Sequence, residues 1–277
     1  MIRSQMRFPN FKEKAVTLSY DDGPHFDKRL IQIMQKHGLK GTFNLNSGFM
    51  PEVSDWHLSK AEAFEVYTSS GMEIAVHGQH HLSLANVDSA VAANDVLQDR
   101  IALEKLFGCV VKGMAYANGS YSDEVVDILK TCGIEYARTV ISTKQFELPT
   151  DWLRLEATCH HNNPQLMELV KTFLDIKPDP IRLQKFTPKL FYLWGHSYEF
   201  DNDKNWEVIE KFAEAIGGRE DIWYATNGEI YAYTKAFDSL RWSADGKLVH
   251  NPSGTDVYLF VNKKERLVKS GERIKID

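Results

Sequence analysis

The chain has 277 residues, 43% hydrophobic and 26% charged, an ordinary globular mix with length for one α/β domain and a small appendage. A net charge of −5 gives no basic field for a polyphosphate backbone and argues against nucleic acid as a partner. No run is long and apolar enough to span a bilayer, and Met1 to Pro9 lack the apolar core of a secretory leader. The three cysteines, Cys109, Cys132 and Cys159, are odd in number and widely spaced; with Met1 as the natural start, reduced thiols and a cytoplasmic protein are expected.

In chain order, Ala15 to Leu18 is strand-like and runs into Ser19-Tyr20-Asp21-Asp22-Gly23-Pro24, where Gly and Pro turn the chain away. Leu30, Ile31, Ile33 and Met34 recur at helical spacing from Phe26 to His37, and Gly38 ends that helix. Gly41 to Leu45 reads as the next strand. Ser59, with Glu62 three residues on, forms a capping box for a helix over Lys60 to Ser70.

Met72 to Val76 is a short apolar strand delivering His77-Gly78-Gln79-His80-His81. An amphipathic helix is expected from Asp88 to Phe107, a strand from Lys112 to Tyr116, a helix from Ser122 to Thr131 and a strand from Ile134 to Arg138. Trp152 to Ala157 alternates like a strand and leads to His160-His161, after which Pro164 opens a helix reaching about Asp175. Lys189 to Trp194 is a buried-type strand ending at Gly195-His196. Asn205 to Ile216 is helical, Ile222 to Ala225 a strand and Asn227 to Phe237 the last helix.

Such alternation predicts an α/β fold with a parallel sheet and outer helices, open or closed into a barrel. Polar residues gather at the strands' carboxyl ends, where such sheets build sites. From Ser239 the texture changes to short Val, Leu and Tyr runs between Gly, Pro and Ser turns, which reads as an antiparallel β unit. Residues 1–238 and 239–277 are therefore taken as a main domain and a small β extension.

Three strand ends carry unusual chemistry. Adjacent Asp21 and Asp22 point to different sides of a strand, so one can bind a cation while the other handles a proton; the plain alternative is a solvated turn. On a helical turn, His77 and His81 share one face and can chelate a cation; the plain alternative is a hydrogen-bonded histidine cluster. With Asp22 they make a shell of two histidines and one carboxylate with open positions. Cys159 is either a nucleophile or a small buried hydrophobe.

The order Ser19-Tyr-Asp-Asp-Gly-Pro24, Thr42-Phe43, His77-Gly-Gln-His-His81, Ala115-Tyr-Ala-Asn-Gly119 and Leu193-Trp-Gly-His196 resembles the polysaccharide deacetylases with the NodB homology domain, carbohydrate esterase family 4. The likeness runs over about residues 10 to 238. It implies a distorted or incomplete (β/α) barrel and hydrolysis of an N-acetyl or O-acetyl group from a sugar by metal-activated water. Under it, Asp22, His77 and His81 hold one divalent metal, commonly zinc, with cobalt, manganese, iron or nickel as alternatives. Asp21 is the general base and His196 the general acid, and the backbone N–H near Asn118 meets the oxyanion.

The chain departs from the family in places. Ala115 and Ala117 stand where the third motif often has Arg and Pro, so that Arg154 or Arg138 would have to orient Asp21. Gly78 replaces a hydroxyl residue, His80 is a surface or supporting group, and Asp151-Trp152 can answer to the fourth motif. Tyr116, Trp194 and Tyr198 can stack on a sugar, or Trp194 can be core and Tyr198 a packing group; His160 and His161, on an Asn-rich loop, either line the same mouth or form a solvated loop, the second being favoured. An acetylated sugar or oligosaccharide is the expected partner. Hydrolysis of a non-sugar C–N bond and a non-catalytic metal-containing carbohydrate binder are the alternatives, and retention of both Asp21 and His196 argues against the second.

Overall fold

The run from Lys14 to Asp21 is buried along its whole length, and its two faces have different destinations. Val16, Leu18 and Tyr20 join the large apolar cluster under the helices, whereas Ala15, Thr17, Ser19 and Asp21 face the opposite way. In a computed structural model describing residues 4–177 and 187–277, this strand lies in the middle of a parallel sheet. The first residues of the stretch read for a leader, Met1 to Arg3, lie outside the described residues.

The elements run β1 (Ser4–Arg7), β2 (Lys14–Asp21), α1 (Asp27–Lys36), β3 (Gly41–Leu45), α2 (Lys60–Thr68), β4 (Glu73–Val76), α3 (Ser89–Phe107) and β5 (Gly113–Ala115). There follow α4 (Asp123–Thr131), β6 (Tyr136–Ser142), β7 (Leu155–Ala157), β8 (Cys159–His160), α5 (Leu166–Asp175) and β9 (Lys189–Gly195). The main unit ends with α6 (Ser197–Asn202), α7 (Glu207–Ile216), β10 (Ile222–Tyr224) and α8 (Asn227–Asp238). The tail holds β11 (Arg241–Trp242), β12 (Leu248–His250), β13 (Val257–Val261), β14 (Lys264–Val268) and β15 (Arg273–Lys275).

The sheet order is β7-β6-β5-β4-β3-β2-β9-β8, with β10 against the start of β2, all parallel. The bent segment Leu155 to His160 pairs with β6 through β7 and with β9 through β8. One segment thus joins both ends of the sheet and curls it round an interior. That interior is partly polar: Thr17 Oγ1 donates to Asn227 Oδ1 (3.0 Å), and Asn227 Nδ2 donates to Tyr192 Oη (2.7 Å). Higher up, Asn44 Nδ2 donates to Ser19 Oγ at 2.9 Å. The polar column ends at Asp21, on the carboxyl edge of the sheet.

Local signals set the helix ends. Ser59 and Glu62 form their capping box at α2, and Gly38 (φ 67°) and Gly108 (φ 66°) adopt the left-handed conformation after α1 and α3. Pro164 precedes α5 rather than entering it, because Asn163 Oδ1 accepts from Gln165 N–H (2.9 Å) and holds a turn there. No separate helix is expected from the sequence over α6.

The tail is antiparallel, as its composition indicates, but forms two sheets. One is β11-β12-β15; in the other, β13 pairs with β14 and with amino-terminal β1. Among the described residues no helix is long and apolar enough to cross a membrane.

Candidate active site

Asp21 ends β2 with its side chain pointing inward, almost fully buried. Its carboxylate accepts from Asn44 Nδ2 (2.8 Å) and from Arg138 Nη2. Asp22 takes the left-handed backbone at φ 76° and is tied to β3 by its N–H on Asn44 O (3.0 Å). The conformational switch between the two residues is what sends their carboxylates different ways.

The histidines meet by a turn rather than on a helix. Gly78 has φ 84° and His81 φ 53°, and a Cβ on Gly78 would lie 2.6 Å from Asp95 Oδ2. Only glycine fits there, because a carboxylate reaches over from α3. Asp95 Oδ1 accepts from the backbone N–H and Nδ1 of His80 (3.1 and 2.8 Å). One helical turn on, Asp99 accepts from the N–H groups of His77 (3.1 Å) and Ser47 (2.7 Å). His80 is thus largely exposed yet bonded to the group that grips the turn.

His77 Nδ1 lies 2.8 Å from Ala115 O. A carbonyl only accepts, so Nδ1 carries the proton and Nε2 presents a lone pair. Asp22 Oδ1 lies 3.4 Å from both His77 Nε2 and His81 Nε2. A tetrahedral cation with bonds of about 2.0–2.1 Å spaces its ligand atoms by roughly 3.3 Å, so these three residues fit one. Asp22, His81 and Asn118 (φ 57°) all hold a left-handed backbone that ordinary residues avoid. Such strain gathers at sites.

His196 follows β9 from the other side. Its Nε2 lies 3.8 Å from Asp21 Oδ2 and 3.9 Å from Asp22 Oδ2, and its Nδ1 lies 3.4 Å from Glu199 Oε2. Glu199 also meets His160 Nε2 (3.2 Å) and His161 Nε2 (3.1 Å) and accepts from the His196 N–H (3.2 Å). His161 is buried, stacked on Phe200 at 4.1 Å. It occupies the space of the side chain Gly195 lacks, since a Cβ there would lie 2.0 Å from His161 Nδ1. The pair His160-His161 is therefore no solvated loop.

The surrounding charges shift Asp21 and His196 in opposite directions. Burial works to raise the Asp21 carboxyl, but Arg138, then His77 and His196, outweigh it and bring the pKa down to about 2. Burial works to lower His196, but Glu199, Asp21 and Asp22 raise it above the ordinary histidine value. His161 is pulled by burial down to about 4, against Glu199.

Arg138, fully buried, lies opposite Ala115 in the strand register and stacks on Trp194 at 4.3 Å. Arg154 instead pairs with Asp123 and Asp151 (2.5 and 2.8 Å). Trp152 packs on Tyr231, so Asp151-Trp152 is engaged away from the site. Tyr116 and Trp194 are also not open stacking platforms: Tyr116 is 1% exposed and donates to Leu153 O (2.8 Å), and Trp194 is 8% exposed between Arg138 and His160. Tyr198 is half-buried beside His196, ring to ring at 5.2 Å. Asn118 lies in the turn after β5, its Nδ2 donating to Ser83 Oγ at 3.0 Å. Burial pushes the Cys159 thiol up to about 12, which suits a small hydrophobe and not a nucleophile.

The segment from Asn46 to Leu58 carries no periodic signal, yet it borders both the Asp22 turn and the histidine turn. Gly48 N–H donates to Gln79 O (3.1 Å) at one end; at the other, His25 N–H donates to Trp56 O (2.8 Å) and Leu58 N–H to Gly23 O (3.3 Å). It presents Phe49 and Trp56, 37% and 39% exposed.

Residues 9–137 match the polysaccharide deacetylase family. Among curated proteins, a chitin deacetylase from Pestalotiopsis sp is 25% identical over 146 residues. That match covers 52% of this chain and 48% of the relative, so the chain spans about half of that protein's length. A Mycobacterium smegmatis protein provisionally described as a polysaccharide deacetylase superposes with a TM-score of 0.60 at 16% identity, over 84% of this chain and 94% of its own. A family 4 carbohydrate esterase from Streptomyces lividans, solved with acetate, gives 0.53 at 13% identity, over 77% and 93%. At such identities the likeness to these two structures is one of fold.

Proposed function

We propose that this chain, whose residues 9–137 match the polysaccharide deacetylase family, hydrolyses an N-acetyl or O-acetyl group on a sugar or oligosaccharide. The observation that carries this reading is the approach of Asp21 and His196 to the Asp22-His77-His81 triplet, with His196 Nε2 3.8 Å from Asp21 Oδ2. A binding site for a cation alone needs neither group.

A divalent cation, zinc by the character of the donor set, held by Asp22, His77 and His81 would supply Lewis acidity at the acetyl carbonyl and lower the pKa of water to about 7. Asp21, ionised throughout the neutral range, accepts the proton of the attacking water. Arg138 and Asn44 fix its carboxylate in place. His196, protonated, donates from Nε2 to the departing nitrogen or oxygen, and Glu199 holds the opposite face of its ring. The backbone N–H at Asn118 is assigned to the oxyanion. Water adds to the carbonyl, the acyl C–N or C–O bond breaks, and acetate and a free amine or hydroxyl leave.

The free thiols of exposed Cys109 and buried Cys132 and Cys159 support a reducing, cytoplasmic setting. The test is acetate release from N-acetylglucosamine monomers, chitooligosaccharides and acetylated sugar nucleotides by chelated protein, with and without zinc or cobalt. Metal-dependent release is expected. No release at full metal occupancy would overturn the reading in favour of a different C–N hydrolase or a binder.

A further inference from the structure

We propose that Asp95 and Asp99, one helical turn apart on α3, are positioning residues for the cation: without touching it, they set how tightly the turn from His77 to His81 binds it. The proposal rests on the reading of Asp22, His77 and His81 as a cation site.

The chain leaves β4 through Gly78 at φ 84° and reaches His81 at φ 53°. A left-handed backbone is one that a histidine avoids when left to itself, so the turn has to be held from outside. Its carbonyls are secured first: Asn46 Nδ2 donates to His77 O (3.0 Å) and Gly78 O (2.7 Å), and Gly48 N–H donates to Gln79 O (3.1 Å). Three of its N–H groups go to α3: His77 to Asp99 Oδ2 (3.1 Å), Gln79 to Asp95 O (3.3 Å) and His80 to Asp95 Oδ1 (3.1 Å).

Two features of these carboxylates go beyond satisfying the turn. His77 N–H already donates to Leu45 O (3.0 Å), so Asp99 is a second acceptor for a group that has one. The other oxygen of Asp99 accepts from Ser47 N–H (2.7 Å), which locks the chain leaving β3 to the chain leaving β4 where His77 emerges. With Nδ1 on Ala115 O at 2.8 Å, His77 is fixed at both ring and backbone, and its Nε2 is aimed at Asp22. Asp95 Oδ2 is buried without a hydrogen-bond partner and fills the space over Gly78, where a Cβ would lie 2.6 Å from it. A buried oxygen with no partner is destabilising and rare. Here it keeps Gly78 from swinging toward α3 and so holds the path of the chain to His81.

The experiment titrates zinc into metal-free wild type, Asp99→Asn, Asp95→Asn and Asp95→Ala against a chromophoric chelator. It also records the visible absorption of each cobalt form and the urea stability of each metal-free form. Asparagine at 99 offers one acceptor to two N–H groups, and Asp99→Asn is expected to weaken zinc binding about 10–100-fold. Asp95→Ala should weaken it similarly, whereas Asp95→Asn keeps the acceptor for His80 and the bulk over Gly78 and should stay close to wild type. The cobalt absorption should change in Asp99→Asn and Asp95→Ala. Lower stability with the zinc affinity and cobalt absorption of wild type in both would make the carboxylates purely structural and overturn the proposal. Should Asp99→Asn not fold, the contrast at position 95 decides: equal zinc affinity in Asp95→Ala and Asp95→Asn overturns it. Wild type that binds neither zinc nor cobalt fails the cation reading itself, and the positioning role falls with it.

Discussion

Arg138 donates to Asp21 from within the barrel, on the strand position directly opposite Ala115. The family resemblance puts the orienting arginine on β5; here it comes from β6, one strand further along, with alanine left in the vacated place. What matters is the guanidinium's position relative to the carboxylate, and two neighbouring strands can both supply it. Stacked on Trp194 and fully buried, Arg138 has little freedom to leave Asp21.

Replacing Arg138 with Met should therefore strand a buried carboxylate. The folded protein is expected to lose about 3–5 kcal/mol, read by urea denaturation. With its strongest cationic neighbour gone, the Asp21 pKa rises from about 2. With ionised Asp21 as the proposed base, the acid limb of kcat/KM should move to higher pH. An unmoved acid limb would mean that Asp21 does not govern it.

Asp21→Asn keeps the Asn44 contact in reach but removes the proton acceptor. A fall in kcat of about 10²–10⁴ is expected, with metal content by elemental analysis unchanged. Full turnover in a metal-loaded Asp21→Asn protein would remove Asp21 from the role of base.

Glu199 raises the pKa of His196 against the effect of burial. Glu199→Gln should lower it, and with protonated His196 as the proposed acid, the basic limb of the rate profile should move to lower pH. Each unit of movement costs about tenfold in rate on the alkaline side. A uniform loss with no movement of the limb would indicate that Glu199 is merely structural.

The ligand turn separates two neighbouring histidines by function. His77→Ala should lose both the bound metal and turnover. His80→Ala should keep its metal, because that ring is exposed and bonded to Asp95 rather than facing Asp22. Wild-type metal content in His77→Ala would exclude it as a ligand.

The strands and helix ends were legible because each rests on a local rule: Ser59 with Glu62, the left-handed glycines, the apolar run of β9. The clustering of His77 and His81 was legible too, though through a turn imposed by Gly78 and Asp95 rather than through helical spacing. The side of a strand on which a residue lies decides whether an aromatic ring lines a cleft or a core, and that follows from register. So Tyr116 is a candidate sugar platform and Trp194 either platform or core until register decides, while the aperiodic segment holding Trp56 gives no signal. His161 is buried only because Gly195, 34 residues on, leaves room for it. Glu199 did leave a trace, three residues after His196 at the start of a helix.

Asp27 bears on stability rather than catalysis. It is buried at the start of α1 and accepts from Ser197 Oγ (2.5 Å), next to His196, and from Tyr67 Oη (2.6 Å). Burial, opposed by those two bonds and reinforced by Asp22 and Asp21, raises its pKa from 3.8 to about 7. The folded state thus holds this proton more tightly than the unfolded chain. The stabilising effect is fully present below about pH 4 and is lost as pH rises to about 7, a change on the order of a few kcal/mol. Asp27→Asn keeps a neutral partner for Ser197 and Tyr67 at every pH. The variant should be more stable than wild type at pH 8 and lose its advantage toward pH 4. A stability difference between the two proteins that stays constant across that range would mean Asp27 ionises normally inside the fold.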